Sequence, residues 1–215
     1  MPAVIVIVAI SLLAGLLIFV KKESLKGVLL TKPSLSILFV IVALSGPAAN
    51  PTYFYFVLAG LLFCVAGDVL LIFPAKELFL AGLVSFLAGH VLYSIAFFMR
   101  ASPGTLTWSI AALCLLISVA VFLWLRPHLG TMLVPVIAYM AVITVMVIGA
   151  TALAGNEQLG FTGRALVFCG AVLFYFSDIF VARQRFVKKQ FINRLAGLPI
   201  YYAGQFMIAY SLRFL

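Results

Sequence analysis

Apolar residues run along this chain in eight stretches of about 20 residues, at 3–20, 28–45, 52–73, 78–99, 106–125, 132–153, 162–182 and 195–215. A helix of that length crosses the hydrocarbon core of a bilayer. The breaks carry turn chemistry: Gly-Pro-Ala-Ala-Asn-Pro at 46–51, Ala-Ser-Pro-Gly at 101–104 and Gly-Asn-Glu-Gln at 155–158. Strands do not fit, because the apolar runs are about twice as long as barrel strands and lack strict alternation. The pattern predicts an all-α, polytopic membrane bundle of eight transmembrane helices, a single domain over 1–215.

Composition narrows the function classes. The chain is 66% hydrophobic and 9% charged, where a soluble domain is about 25% charged. That excludes a water-soluble enzyme and a disordered chain. It also removes nucleic acid as a partner, despite the net charge of +9. Cys64, Cys114 and Cys169 stand alone in apolar runs, with neither disulfide nor zinc spacing.

The basic residues set orientation. Lys21, Lys22, Lys26, Lys76, Arg126, Arg183, Arg185, Lys188, Lys189 and Arg194 fall in odd-numbered loops. Only Arg100 and Arg164 fall in even ones, with Arg213 near the C-terminus. The positive-inside rule then puts the odd loops in the cytoplasm and both termini on the far side. The first stretch lacks a basic n-region and a small-residue cleavage site before Lys21, so it is expected to be a retained helix. The expected location is the bacterial inner (plasma) membrane, among its lipids.

An internal match suggests a repeat. Ala-Gly-Leu-Val-Ser-Phe-Leu-Ala-Gly-His at 81–90 aligns without gaps on Ala-Gly-Leu-Pro-Ile-Tyr-Tyr-Ala-Gly-Gln at 196–205. Gly82/Gly89 and Gly197/Gly204 keep one seven-residue spacing, which makes a smooth stripe for a neighbouring helix. Asp68 and Asp178 close the third and seventh stretches, and Pro33 and Pro135 lie early in the second and sixth. Two parallel four-helix repeats, 1–100 and 105–215, are expected.

Ionisable residues inside membrane helices are costly and mark function by default. Here they are Lys32, Asp68, His90 and Asp178, accompanied by Tyr93, Ser177, Tyr201, Tyr202 and Gln205. With the orientation above, all lie in the cytoplasmic half of the bilayer, as expected for one polar cavity open toward that leaflet. Tyr175, three residues before Asp178, is positioned to hold that carboxylate. His128, after Arg126-Pro127, has the look of a loop residue. Too few His remain for a zinc hydrolase, there is no G-x-S-x-G elbow, and Ser177 and Asp178 point apart on a helix. Two carboxylates, one paired with Lys32 and ionised and the other keeping its proton, match acid-catalysed cleavage of acetal-like bonds.

At these residues the sequence resembles the YhhN family of integral membrane proteins, the lysoplasmalogenase family. The matching pieces are Thr31-Lys32-Pro33, Ala66-Gly67-Asp68-Val69-Leu70-Leu71 and the stretch from Gly82 to His90 and Tyr93. Gly170-Ala171-Val172-Leu173-Phe174, Ser177-Asp178, and Tyr201-Tyr202 with Gln205 complete the set. The resemblance implies hydrolysis of the vinyl ether bond of a lysoplasmalogen, a lysophospholipid, to a long-chain aldehyde and a glycerophospho-base. On that reading Asp68, Asp178 and His90 are catalytic. Lys32, helped by Arg and Lys residues of the loops, meets the phosphate, and Tyr93, Ser177, Tyr201, Tyr202 and Gln205 contact substrate, with no metal or organic cofactor required. Two alternatives stay open: a lipid or small-molecule transporter or binding protein with a cytoplasm-facing polar cavity, and an intramembrane aspartyl protease.

Overall fold

The computed structural model describes residues 3–215. Eight long helices follow one another: α1 (Ala3–Lys21), α2 (Leu25–Leu44), α3 (Pro51–Leu70), α4 (Lys76–Met99), α5 (Thr105–Leu129), α6 (Leu133–Ala154), α7 (Phe161–Ala182) and α8 (Phe191–Ser211). A single 3-10 turn, Gly130–Met132, joins α5 to α6, and a π turn, Arg183–Val187, ends α7. No strand occurs among the described residues.

Local chemistry sets the ends. The Ser24 side chain accepts from the Gly27 N–H at 3.3 Å to open α2. Asn50 does the same for Tyr53 at 3.0 Å, with Pro51 in the first helical position of α3. Gly130 adopts φ +49°, a left-handed backbone that only glycine takes cheaply, and this reverses the chain between α5 and α6.

Two ends differ from the sequence expectation. α5 continues through Pro127 to Leu129, so His128 is an exposed residue of its last turn rather than part of a loop. α8 begins at Phe191, which moves Arg194 out of the loop and into the helix. The Gln184 side-chain oxygen makes this early start feasible, accepting from the Gln190 N–H (2.9 Å) and from Asn193 Nδ2 (2.8 Å).

Among the described residues, α1 to α4, the run from α5 through α6, and α7 are long and apolar enough to cross a membrane. With α5 and α6 taken separately that makes seven. α8 falls outside this set because it carries Asn193, Arg194, Gln205 and Ser211. Neighbours shield it instead: α8 packs along α7 and touches α1, α2 and α3. Large apolar side chains such as Val4, Ile7, Leu30, Leu116, Val134 and Phe161 point outward, a surface suited to lipid and not to water.

Two helix pairs meet at glycine-on-glycine crossings. A Cβ on Gly60 of α3 would lie 3.1 Å from the Gly89 carbonyl of α4, and one on Gly89 would lie 3.0 Å from the Gly60 carbonyl. Between α7 and α8, Gly170 and Gly204 stand in the same relation, at 2.9 and 2.7 Å. Such approaches let backbones touch where no hydrophobic force drives association. Gly89 immediately precedes His90, and Gly204 immediately precedes Gln205.

Candidate functional site

Asp68 lies in the last turn of α3, where helix carbonyls have no N–H partner ahead of them. Lys32 of α2 supplies one, its Nζ donating to the Asp68 backbone oxygen at 2.8 Å while lying 3.0 Å from Oδ1. The other carboxylate oxygen, Oδ2, accepts from the Ser36 hydroxyl (2.6 Å) and from the Tyr201 hydroxyl (2.6 Å). Lys32 and Ser36 are one turn apart on α2, so one helix face presents both donors. Asp68 and Lys32 are 2% and 5% exposed. A buried ion pair persists at such depth only when further hydrogen bonds support it, and here Ser36 and Tyr201 supply two.

Further groups hold this clamp from behind. Tyr202 OH lies 3.2 Å from Ser36 Oγ and donates to the Lys32 carbonyl at 3.3 Å. Gln205 Nε2 donates to the Tyr201 oxygen (3.3 Å), and Tyr93 OH donates to Gln205 Oε1 (2.9 Å). A continuous chain of hydrogen bonds therefore links α4, α8, α3 and α2 and fixes the Tyr201 hydroxyl on Asp68.

Asp178 of α7 has sparser surroundings. It is partly buried, and Tyr139 of α6 donates to its Oδ2 at 2.5 Å. The expected partner, Tyr175, is elsewhere: its hydroxyl lies 2.6 Å from Ser118 of α5, which in turn lies 2.7 Å from Thr144. Helical side chains lean toward the N-terminus, so the Tyr175 ring tilts away from a residue one turn ahead of it. Each Asp is thus held by the helix that precedes its own, Asp68 by α2 and Asp178 by α6.

Both carboxylates line one pocket. Its polar wall contains Lys32, Asp68, Ser118, Tyr139, Tyr175, Asp178, Asn193, Arg194 and Tyr201, and its apolar wall includes Leu71, Phe79, Leu83, Val121, Leu125 and Val136. The α2, α4, α6 and α8 residues come from the N-terminal part of their helices, and those from α3, α5 and α7 come from the C-terminal part. The cavity therefore sits at one end of the bundle, beside the loops rich in Lys and Arg. Over it the π turn packs against α4, with the Phe186 ring edge-on to Phe79 at 5.7 Å and the Arg185 guanidinium 4.3 Å from the Phe79 ring centre.

Five of the nine site residues expected from sequence lie behind this wall. His90 is fully buried among Phe86, Tyr93, Tyr139 and Phe174, with ring centres 6.4, 6.4, 5.3 and 4.5 Å away. Neither of its nitrogens has a protein partner. Ser177 spends its hydroxyl on the Phe174 carbonyl (2.7 Å). Tyr93, Tyr202 and Gln205 support the clamp. Lys32 reaches the wall with its ammonium already committed to Asp68. Sequence reasoning missed Ser36, Tyr139 and Asn193, and placed Arg194 only among the loop cations. Ser36 carried a weak signal, one turn beyond Lys32, whereas nothing in the local pattern marks Tyr139, and Asn193 and Arg194 fell in the loop before the eighth stretch.

This arrangement offers two carboxyl groups in unlike settings beside an apolar space that would accept a lipid tail. Residues 27–212 match the model of the YhhN family. The chain is 31% identical over 192 residues to lysoplasmalogenase TMEM86A of Bos taurus, an alignment covering 86% of this chain and 68% of that protein. Against lysoplasmalogenase TMEM86B of Mus musculus it is 32% identical over 208 residues, 95% of this chain and 83% of that one. Against lysoplasmalogenase TMEM86B of Rattus norvegicus it is 33% identical over 178 residues, 81% and 69% respectively. No solved structure matches it. On the family match and on relatives aligned over most of its length, the chain belongs to the YhhN family.

Proposed function

We propose that this protein is an eight-span membrane hydrolase that cleaves the vinyl ether bond of lysoplasmalogens by carboxyl acid–base chemistry. One observation carries the reading: two carboxyl groups line one largely apolar pocket, Asp68 clamped by an ammonium and two hydroxyls, Asp178 met by the Tyr139 hydroxyl with no cation against it. A carboxyl without a counter-cation is cheaper to bury with its proton on, so Asp178 is the acid and Asp68 the carboxylate. The lysoplasmalogenases aligned above support the substrate class.

The steps follow from vinyl ether chemistry. Asp178 gives its proton to the vinyl carbon remote from oxygen. A C–H bond forms there, and the double-bond electrons leave an oxocarbenium ion stabilised by oxygen. Asp68, paired with Lys32, supplies negative charge opposite that cation. Water adds to the oxocarbenium carbon and returns a proton to Asp178. The resulting hemiacetal collapses to the aldehyde and a free glycerol hydroxyl, consuming one water in all.

Tyr201 lies on the wall, where it orients the ether end of the substrate, and Tyr93, Tyr202 and Gln205 hold Tyr201 and Ser36 in place. The matching glycine crossings and the matching way each Asp is held support an origin by duplication, after which the two carboxyl sites diverged. Basic loops at the cavity end support an opening toward the cytoplasmic leaflet.

The test is aldehyde release by purified protein offered lysoplasmalogen. Wild type is expected to release aldehyde, and Asp178→Asn to lose about 10²–10⁴-fold in turnover. No aldehyde from wild type would end the hydrolase reading. An Asp178→Asn variant at full rate would remove Asp178 as the acid.

A further inference from the structure

The cavity wall is nearly exhausted of hydrogen-bonding capacity before any ligand enters. Lys32 is spent on Asp68, Ser118 on Tyr175 and Thr144, and Tyr139 on Asp178. Asn193 donates to Gln184 Oε1 and to the Lys188 carbonyl, each at 2.8 Å, and accepts from Arg183. At the rim, Arg183 also donates to Gln190, and Arg185 donates to the Pro74 carbonyl at 3.2 Å. Arg194 is different. It lines the cavity, and among the described residues it has no ion pair and no side-chain hydrogen bond.

A guanidinium in the first turn of a helix, lining this cavity with neither of its carboxylates within ion-pair distance, is a ready site for an anion. Its planar fork of N–H donors suits a phosphate, which it binds through two parallel hydrogen bonds.

We infer that Arg194 is the anion anchor of this cavity, binding the phosphodiester of a lysophospholipid headgroup and thereby setting the register of the ether bond. The anion site stands on the free guanidinium alone, and the choice of a lysophospholipid rests on the function proposed above. Arg194 and Tyr201 are seven residues apart on α8. Two helical turns put them on one face, about 10 Å apart along the axis. The span from the vinyl carbon of a lysoplasmalogen to its phosphorus is comparable. With phosphate on Arg194, the ether reaches Tyr201 and the carboxyl groups, and the tail fills the apolar wall. Lys32, the phosphate ligand expected from sequence, is thereby relieved of that role.

The experiment measures binding, not turnover. Purified protein in maltoside micelles, which contain no phosphate, is titrated with a saturated alkyl-ether lysophosphoethanolamine, with the matching alkylglycerol and with inorganic phosphate. Wild type is expected to prefer the phospholipid over the alkylglycerol by at least about 10-fold, the worth of a charge-assisted contact. Arg194→Gln is expected to erase that preference while leaving alkylglycerol affinity unchanged, and Arg194→Lys to restore part of it. A Gln variant that keeps the preference overturns the proposal. So does one that loses both lipids equally, which would make Arg194 a structural residue. Inorganic phosphate binding as tightly as the phospholipid would reassign the site to a free anion and overturn the lipid assignment. If wild type releases no aldehyde yet shows the Arg194-dependent preference, the hydrolase reading falls and the anchor stands.

Discussion

Replacing Lys32 by Met strips the buried Asp68 carboxylate of its cation while keeping a side chain of similar length. At 3.0 Å, and with an effective dielectric of about 20, the lost attraction is about 5.5 kcal/mol. Removing one partner of a buried pair costs about 3–5 kcal/mol in practice. Asp68, 2% exposed, meets too little water to recover that loss. For a chain of this size the expected fall in Tm is roughly 6–20 °C. Asp68→Asn is milder, because the Lys32 ammonium keeps the Asp68 backbone oxygen at 2.8 Å. The double variant, with both charges gone, should recover at least half of the Lys32→Met loss. Thermal unfolding in one detergent, followed by intrinsic fluorescence, measures all three. A Lys32→Met protein melting within about 2 °C of wild type would refute the reasoning, as would a double variant no more stable than Lys32→Met alone.

Three further outcomes are expected. Tyr139→Phe deletes the hydroxyl on Asp178 and should lower turnover about tenfold in the aldehyde assay, with the melting temperature nearly unchanged. Gly204→Ala puts a methyl 2.7 Å from the Gly170 carbonyl and should destabilise by about 1–3 kcal/mol, whereas Gly160→Ala, with nothing within 4 Å, serves as the neutral control. His90→Leu should keep aldehyde release within about threefold of wild type, because the ring lies behind Tyr139 and Phe174. A loss of two orders of magnitude would return His90 to the proton path.

Much of the fold was legible because lipid leaves the backbone few options. Without water to satisfy N–H and C=O groups, each long apolar run must be a helix, and the eight runs mark eight helices with ends shifted by a few residues. One such shift is at the start of α8, where polar Asn193 and Arg194 resembled a loop. There Gln184, in the π turn, accepts from the Gln190 N–H just before the helix and from the Asn193 side chain, which ties the start of α8 to the end of α7. Half of the site was legible for a related reason: charges are so scarce in the apolar runs that Asp68, Asp178 and Lys32 stood out.

Sequence alone therefore determined the class of molecule, the number of helices, the two carboxyl groups and the Lys32 cation as candidates. Only tertiary structure decided who touches whom. A side chain's partner depends on the face it takes and on the neighbouring helix, and neither is encoded in local spacing. Tyr175 is closer in sequence to Asp178 than Tyr139 is, yet Tyr139 makes the bond because α6 brings it across the cavity. His90, conspicuous as an ionisable residue, is sealed among aromatic rings, while Arg194, lost in a run of basic loop residues, is the cation left facing the cavity. Composition could show that a polar residue was expensive to place there. The packing of eight helices determined which of those residues were already paired with each other and which one was left for a ligand.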